Sequence, residues 1–155
     1  MIIIAHNIRS LHNVGSIFRS ADAFAVEKLY LTGYTGTPPQ KEIAKTALGS
    51  EDRVDWEKVE DIFLLIEKLR GKGYQVVGLE TGEGALAIGS LSFDKPIALI
   101  LGNEVTGIEP EVREKLDDLA EIPMPGLKKS LNVSVAAGIA MFELSQKCVK
   151  IVSNI

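Results

Sequence analysis

One cysteine, Cys148, and two histidines, His6 and His12, are all the cysteine and histidine in a chain of 155 residues. A lone thiol cannot close an internal disulfide, and the His/Cys spacing of a zinc site is missing, so neither kind of staple is expected. A chain of this length buries roughly 70% of the surface it exposes when unfolded and needs no staple. Positive charge is not in excess either: 17 Lys and Arg against 21 Asp and Glu leave a formal net charge of -4. Global attraction to nucleic acid is therefore absent, and any RNA or DNA role requires a local basic face. No apolar run has the length of a membrane span, and Met1 leads into Ile2, Ile3 and Ile4 without the basic flank or small-residue cleavage site of a signal peptide. The chain is read as cytoplasmic, in a reducing compartment, with no membrane partner.

What is present suits one folded domain: 46% of residues are hydrophobic and 25% charged. Short β-branched runs alternate with amphipathic segments, the pattern of an α/β fold with a mostly parallel sheet flanked by helices. Strands are expected at 2–5, 28–31, 74–79, 97–101 and 119–122, with an edge piece at 54–56. Helices are expected at 14–24, 39–46, 59–70, 109–115 and 133–147, and loops at 33–39, 71–73, 82–92 and 123–126. Strands this apolar are buried on both faces. The last helix is unusual, because VSVAAGIAMFEL from position 133 is apolar or small nearly all the way round. Either a central place in the core or a second subunit covers it.

Chemistry could be carried by segments of three kinds. Residues 13–24 read NVGSIFRSADAF. Asn13 suits a helix N-cap, Gly15 admits a close neighbour, and the Arg19 guanidinium can hold a phosphate in a two-pronged grip. The plainer reading pairs Arg19 with Asp22 on the helix surface. Residues 97–108 read IALILGNEVTGI, which puts Asn103 and Glu104 beyond the carboxyl end of a buried strand, where α/β sheets bind ligands. A simple turn ahead of Pro110 is the alternative. Residues 122–134 read IPMPGLKKSLNVS, a loop stiffened by prolines and delivering Ser130 and Asn132 to the apolar helix. Helix capping explains the polar atoms, while the stiff apolar loop suits the wall of a ligand pocket. Two weaker signals are set aside. Gly82-Glu-Gly84-Ala-Leu-Ala87 has dinucleotide-fingerprint spacing without a following helix, and Ser130 has no histidine base nearby in sequence.

Taken together and in this order, the three segments resemble the motifs of the SpoU class of the SPOUT superfamily, the AdoMet-dependent RNA ribose 2'-O-methyltransferases. The resemblance extends over nearly the whole chain and is most specific in Ile122-Pro-Met-Pro-Gly and Ser130-Leu-Asn-Val-Ser. It implies a carboxyl-terminal deep trefoil knot and a homodimer. It also implies AdoMet as methyl donor, without a metal, held by Leu79, Glu80 and Thr81, by Leu101, Gly102 and Asn103, and by Ile122, Met124 and Leu131. Asn13, Arg19, Glu104, Ser130 and Asn132 are then the expected catalytic set, around the reacting methyl and the ribose of a tRNA or rRNA. Family proposals give the arginine at the position of Arg19 a part in deprotonating the 2'-hydroxyl. A guanidinium with a pKa above about 12 is a poor base, so clamping a phosphate is the physically favoured role. Arg9, Arg19, Arg53, Lys128 and Lys129 are expected to face RNA, whereas for Lys41 and Lys45 plain solubility is the simpler reading. The family often carries Gly after the phenylalanine of the first motif, and here Phe24 is followed by Ala25. A single domain over 1–155, without a separate RNA-binding extension, is expected. A base-methylating knotted enzyme and a non-catalytic RNA-binding or assembly protein remain as alternatives.

Overall fold

The computed structural model describes residues 1–152, with side chains through Lys147, so the Cys148 thiol lies outside the described residues. Strands β1 (Ile2–His6), β2 (Lys28–Thr32), β3 (Trp56–Val59), β4 (Gln75–Leu79), β5 (Leu86–Ala87), β6 (Ile97–Leu101) and β7 (Asp118–Glu121) alternate with helices. The helices are α1 (Leu11–Ala23), α2 (Lys41–Ala47), α3 (Ile62–Gly71), α4 (Pro110–Arg113) and α5 (Val133–Val152). The strands form one sheet in the order β3-β2-β1-β6-β4-β7-β5, and each described pairing is parallel. This is the α/β architecture that the hydrophobic pattern implies.

Side-chain alternation along the strands divides the core between the two faces of the sheet. Ile3, Ala5, Leu29, Leu31, Leu99 and Leu101 face α1 and α5, where they meet Phe18, Ala137, Met141 and Leu144. Ile2, Ile4, Tyr30 and Ile100 face α3 and α4, against Ile62, Leu65, Ile66, Leu69 and Val112. Each such aliphatic side chain contributes about 1.5–3 kcal/mol on burial, which is why β1 and β6, buried at every position, lie at the centre.

Several boundaries depart from expectation for local reasons. Helix α1 starts at Leu11, capped by the Ser10 hydroxyl that accepts from the Asn13 N–H at 3.3 Å, so Asn13 lies inside the first turn and is not the N-cap. Ser10 has the same capping chemistry three residues earlier. The expected edge piece at 54–56 is displaced to β3, and α3 begins only after Asp61, whose carboxylate accepts from Phe63 N–H at 2.8 Å and Leu64 N–H at 3.2 Å. The loop at 82–92 contains the two-residue strand β5, too short to give a periodic signal. Gly15 abuts α2 rather than a ligand: a Cβ there would fall 2.3 Å from the Ile43 carbonyl oxygen. No helix among the described residues is long and apolar enough to cross a membrane.

Candidate active site

Strands β4, β6 and β7 end on the same side of the sheet, next to the place where the strand order reverses around β1 and β6. That is where open α/β sheets leave a crevice. A cleft of about 280 Å³ lies there. All nine residues expected to hold AdoMet line it: Leu79, Glu80 and Thr81 after β4, Leu101, Gly102 and Asn103 after β6, and Ile122, Met124 and Leu131 on the loop after β7. Glu104, Lys129 and Ser130 line it as well. Sequence reasoning missed Val105, Thr106, Gly107, Glu121, Val133 and Ala136, whose contribution follows only from the folding of the loops.

The β6 loop is a tight ring. Asn103 and Gly107 exchange two backbone hydrogen bonds of 3.0 Å, and the Asn103 side-chain carbonyl accepts from Val105 N–H at 2.8 Å and Thr106 N–H at 2.9 Å. Its amide donates to the Asn7 carbonyl at 3.0 Å and to the Tyr34 hydroxyl at 2.7 Å. The Asn103 side chain is thus committed to holding the loop. Gly102 is required at the base of the ring, where a Cβ would sit 2.6 Å from the Gly107 carbonyl carbon.

The ring aims Glu104 at the amino end of α1. Its carboxylate accepts from Arg9 N–H at 2.9 Å, Ser10 N–H at 3.0 Å and the Asn13 amide at 3.0 Å. Burial pushes its pKa up, but the hydrogen bonds from Arg9, Ser10 and Asn13 outweigh burial and hold it below the ordinary glutamate value. The Asn13 side-chain oxygen in turn accepts from Asn132 Nδ2 at 3.1 Å, while Asn132 Oδ1 caps α5 by accepting from Ser134 N–H at 2.8 Å. One chain of side-chain bonds therefore ties together the first, second and third segments.

The remaining expected residues are placed less uniformly. Arg19 is exposed and lines a separate concavity between α1 and α2 rather than the cleft. Arg9 and Lys128 are exposed. Arg53 is bound to Asp22, with Nε at 2.9 Å, so the surface pair of Arg19 with Asp22 does not form. On the wall of the cleft, the backbone N–H groups of Lys129, Ser130 and Leu131 donate no hydrogen bond within the described residues. Free backbone donors beside apolar side chains suit a ligand with both polar edges and an apolar body.

A parallel α/β sheet with a cleft at its carboxyl edge, lined by the loops after β4, β6 and β7, the last two tied together through Asn13 of α1, defines the class. Residues 1–142 match the SpoU rRNA Methylase family. The chain belongs to that family. It is 33% identical over 148 residues to the tRNA (guanosine(18)-2'-O)-methyltransferase of Aquifex aeolicus, covering 95% of this chain and 69% of the relative. It is 34% identical over 143 residues to the 23S rRNA (guanosine-2'-O-)-methyltransferase RlmB of Xylella fastidiosa, covering 92% of this chain and 57% of the relative. The AdoMet-bound rRNA methyltransferase of Sinorhizobium meliloti superposes with a TM-score of 0.87 at 29% identity, covering 94% of this chain and 55% of the other. The chain thus spans little more than half the length of the last two.

Proposed function

We propose that this domain transfers a methyl group from AdoMet to a ribose 2'-hydroxyl of tRNA or rRNA, acting as a cytoplasmic homodimer with the knotted threading of its class. The observation that carries this reading is the bonded chain Glu104–Asn13–Asn132 beside a cleft lined by all nine residues assigned to AdoMet. The curated relatives named for guanosine 2'-O-methylation and the AdoMet-bound structural neighbour support the substrate and the donor. Bound there, AdoMet supplies an electrophilic methyl on a sulfonium.

The roles of the protein's own residues follow from their placement. Leu79, Leu101, Ile122 and Leu131 give the cleft its apolar wall, and the backbone donors of Lys129, Ser130 and Leu131 give polar recognition. Glu104, Asn13 and Asn132 set the spacing of the three loops. Ser130 and Lys129, exposed on the cleft, orient the incoming ribose and its phosphates. Arg19 clamps a phosphate next to the target hydroxyl, and positioning of this kind contributes several kcal/mol to lowering a barrier, within the ~7–11 kcal/mol ceiling for oriented reactants. Arg9 and Lys128 extend the basic face.

Homodimerisation is supported by the outer side of α5, where Val135, Ile139 and Phe142 are 50%, 37% and 50% exposed at helical spacing. A second copy would cover this stripe.

Incubation with labelled AdoMet and total undermethylated RNA, followed by digestion to nucleosides, tests the function. Label in 2'-O-methylated nucleosides is expected. Label on a base would instead assign a base methyltransferase, and no label would assign a binding or assembly protein.

A further inference from the structure

A concavity of about 430 Å³ separates α1 from α2, and Arg19 and Lys45 reach it from its two sides. Ser16, Ser20 and Thr46 add hydroxyls to its lining, and no carboxylate lines it. Neither Arg19 nor Lys45 forms an ion pair among the described residues, although Glu42 precedes Lys45 by one turn and Asp22 follows Arg19 by one turn. Residues three apart on a helix lie close enough to pair when their charges are opposite. Asp22 is diverted instead. The 3-10 turn at Ser50–Asp52 packs on α1, and one oxygen of Asp22 accepts from Ser50 Oγ at 3.0 Å, from Arg53 Nε at 2.9 Å and from Arg53 Nη2. Hydrogen bonds from Arg53 and then Ser50 hold the Asp22 carboxyl below its ordinary range, so it is ionised and occupied.

We propose that the α1–α2 concavity seats one phosphate of the RNA strand between Arg19 and Lys45, and that Arg53 keeps the seat open by holding Asp22 away from Arg19. The inference rests on the RNA-methyltransferase reading for its ligand. Arg53 is then a positioning residue acting through Asp22, not an RNA contact, and Lys45 is a substrate contact rather than a solubilising charge.

The test is nitrogen-15 NMR of the full chain, following the Arg19 Nε–H with inorganic phosphate as the probe. In the wild type this proton exchanges quickly and shifts on phosphate addition, together with the Lys45 side chain. In Arg53→Gln it becomes protected as Asp22 captures Arg19, and the phosphate response weakens by at least about threefold, the effect of losing one charge-assisted contact. Adding Asp22→Asn to Arg53→Gln restores both signals. Arg53→Lys, which keeps a cation beside Asp22, follows the wild type, and the recovery in the double variant excludes a folding defect as the cause. An Arg19 signal unchanged in Arg53→Gln, no recovery in the double variant, or a phosphate response confined to Arg19 would overturn the proposal. In methyl transfer, Lys45→Gln raises the KM for RNA more than it lowers kcat and reduces the salt slope of binding by about one phosphate contact. A wild type that transfers no methyl group to RNA removes the enzymatic reading, while the NMR measurements still decide the seat and its guard.

Discussion

Asn13 donates its side-chain amide to Glu104 across a sequence separation of 91 residues, at 3.0 Å. Its other polar atom accepts from Asn132, so a single carboxamide serves as the clasp between three loops. A carboxylate has no donor for Glu104, and a hydroxyl carries donor and acceptor on a single atom, whereas the carboxamide carries them on two separate atoms. Asn13→Ala loses both bonds and leaves part of the Glu104 desolvation uncompensated. A loss of about 1–3 kcal/mol in urea unfolding is expected, together with weaker AdoMet binding by calorimetry. Asn13→Asp sets a second carboxylate against Glu104 and is expected to be worse than alanine. Wild-type stability in the aspartate variant would exclude the clasp.

The depressed pKa of Glu104 makes the clasp sensitive to acid. A carboxylate held below its unfolded value contributes stability that is complete above the ordinary glutamate range of about 4.5 and is lost as the pH falls through the depressed value. Glu104→Gln presents an amide N–H to the Arg9 or Ser10 N–H, so it lowers stability at neutral pH. The variant also has a shallower loss of stability between neutrality and low pH than the wild type. Parallel thermal melts across that range measure the difference, and identical acid limbs would contradict the assignment.

The central strands and the three loops of this arrangement are legible in the sequence, whereas the hydrogen-bond partners are not. The unbroken apolar runs at 2–5 and 97–101 mark the two central strands, because burial on both faces removes the polar alternation. The three loops were legible as motifs because prolines, glycines and short polar side chains mark chain reversals at strand ends. The partners of those polar atoms were not legible. Nothing in the local sequence distinguishes Asn13 as cap from Asn13 as clasp, since Ser10 competes for the same role and the deciding bond comes from Glu104. Arg53 likewise reads as one of the RNA-facing cations until Ser50 and Asp22 are brought beside it.

Ala25 occupies the residue after the end of α1 with φ of 50°, a left-handed conformation that favours glycine. Side-chain strain there costs roughly 1–2 kcal/mol, and the extra unfolded-state freedom of glycine offsets about 0.4–1 kcal/mol of the relief. Ala25→Gly is therefore expected to stabilise the chain by about 0.5–1 kcal/mol, raising Tm by roughly 1–4 °C in calorimetry. A lower Tm would show that the strain is relieved elsewhere.

The apolar stripe on α5 gives a direct handle on the oligomeric state. Ile139→Glu places a charge in the centre of Val135, Ile139 and Phe142 while Ala137, Ala140 and Met141 keep the inner face packed. Light scattering is expected to show a dimeric wild type and a monomeric, folded variant with little methyl transfer. A variant that remains dimeric would move the interface to another surface.

Arg19→Ala separates holding the donor from presenting the RNA, and it does so in one pair of measurements. With AdoMet affinity followed by calorimetry and methyl transfer followed on undermethylated RNA, affinity within about twofold of wild type is expected, with transfer reduced by at least about a hundredfold through lost orientation. Transfer that persists at the wild-type rate, or an AdoMet affinity that falls in proportion to activity, would contradict the division of labour between the cleft and Arg19.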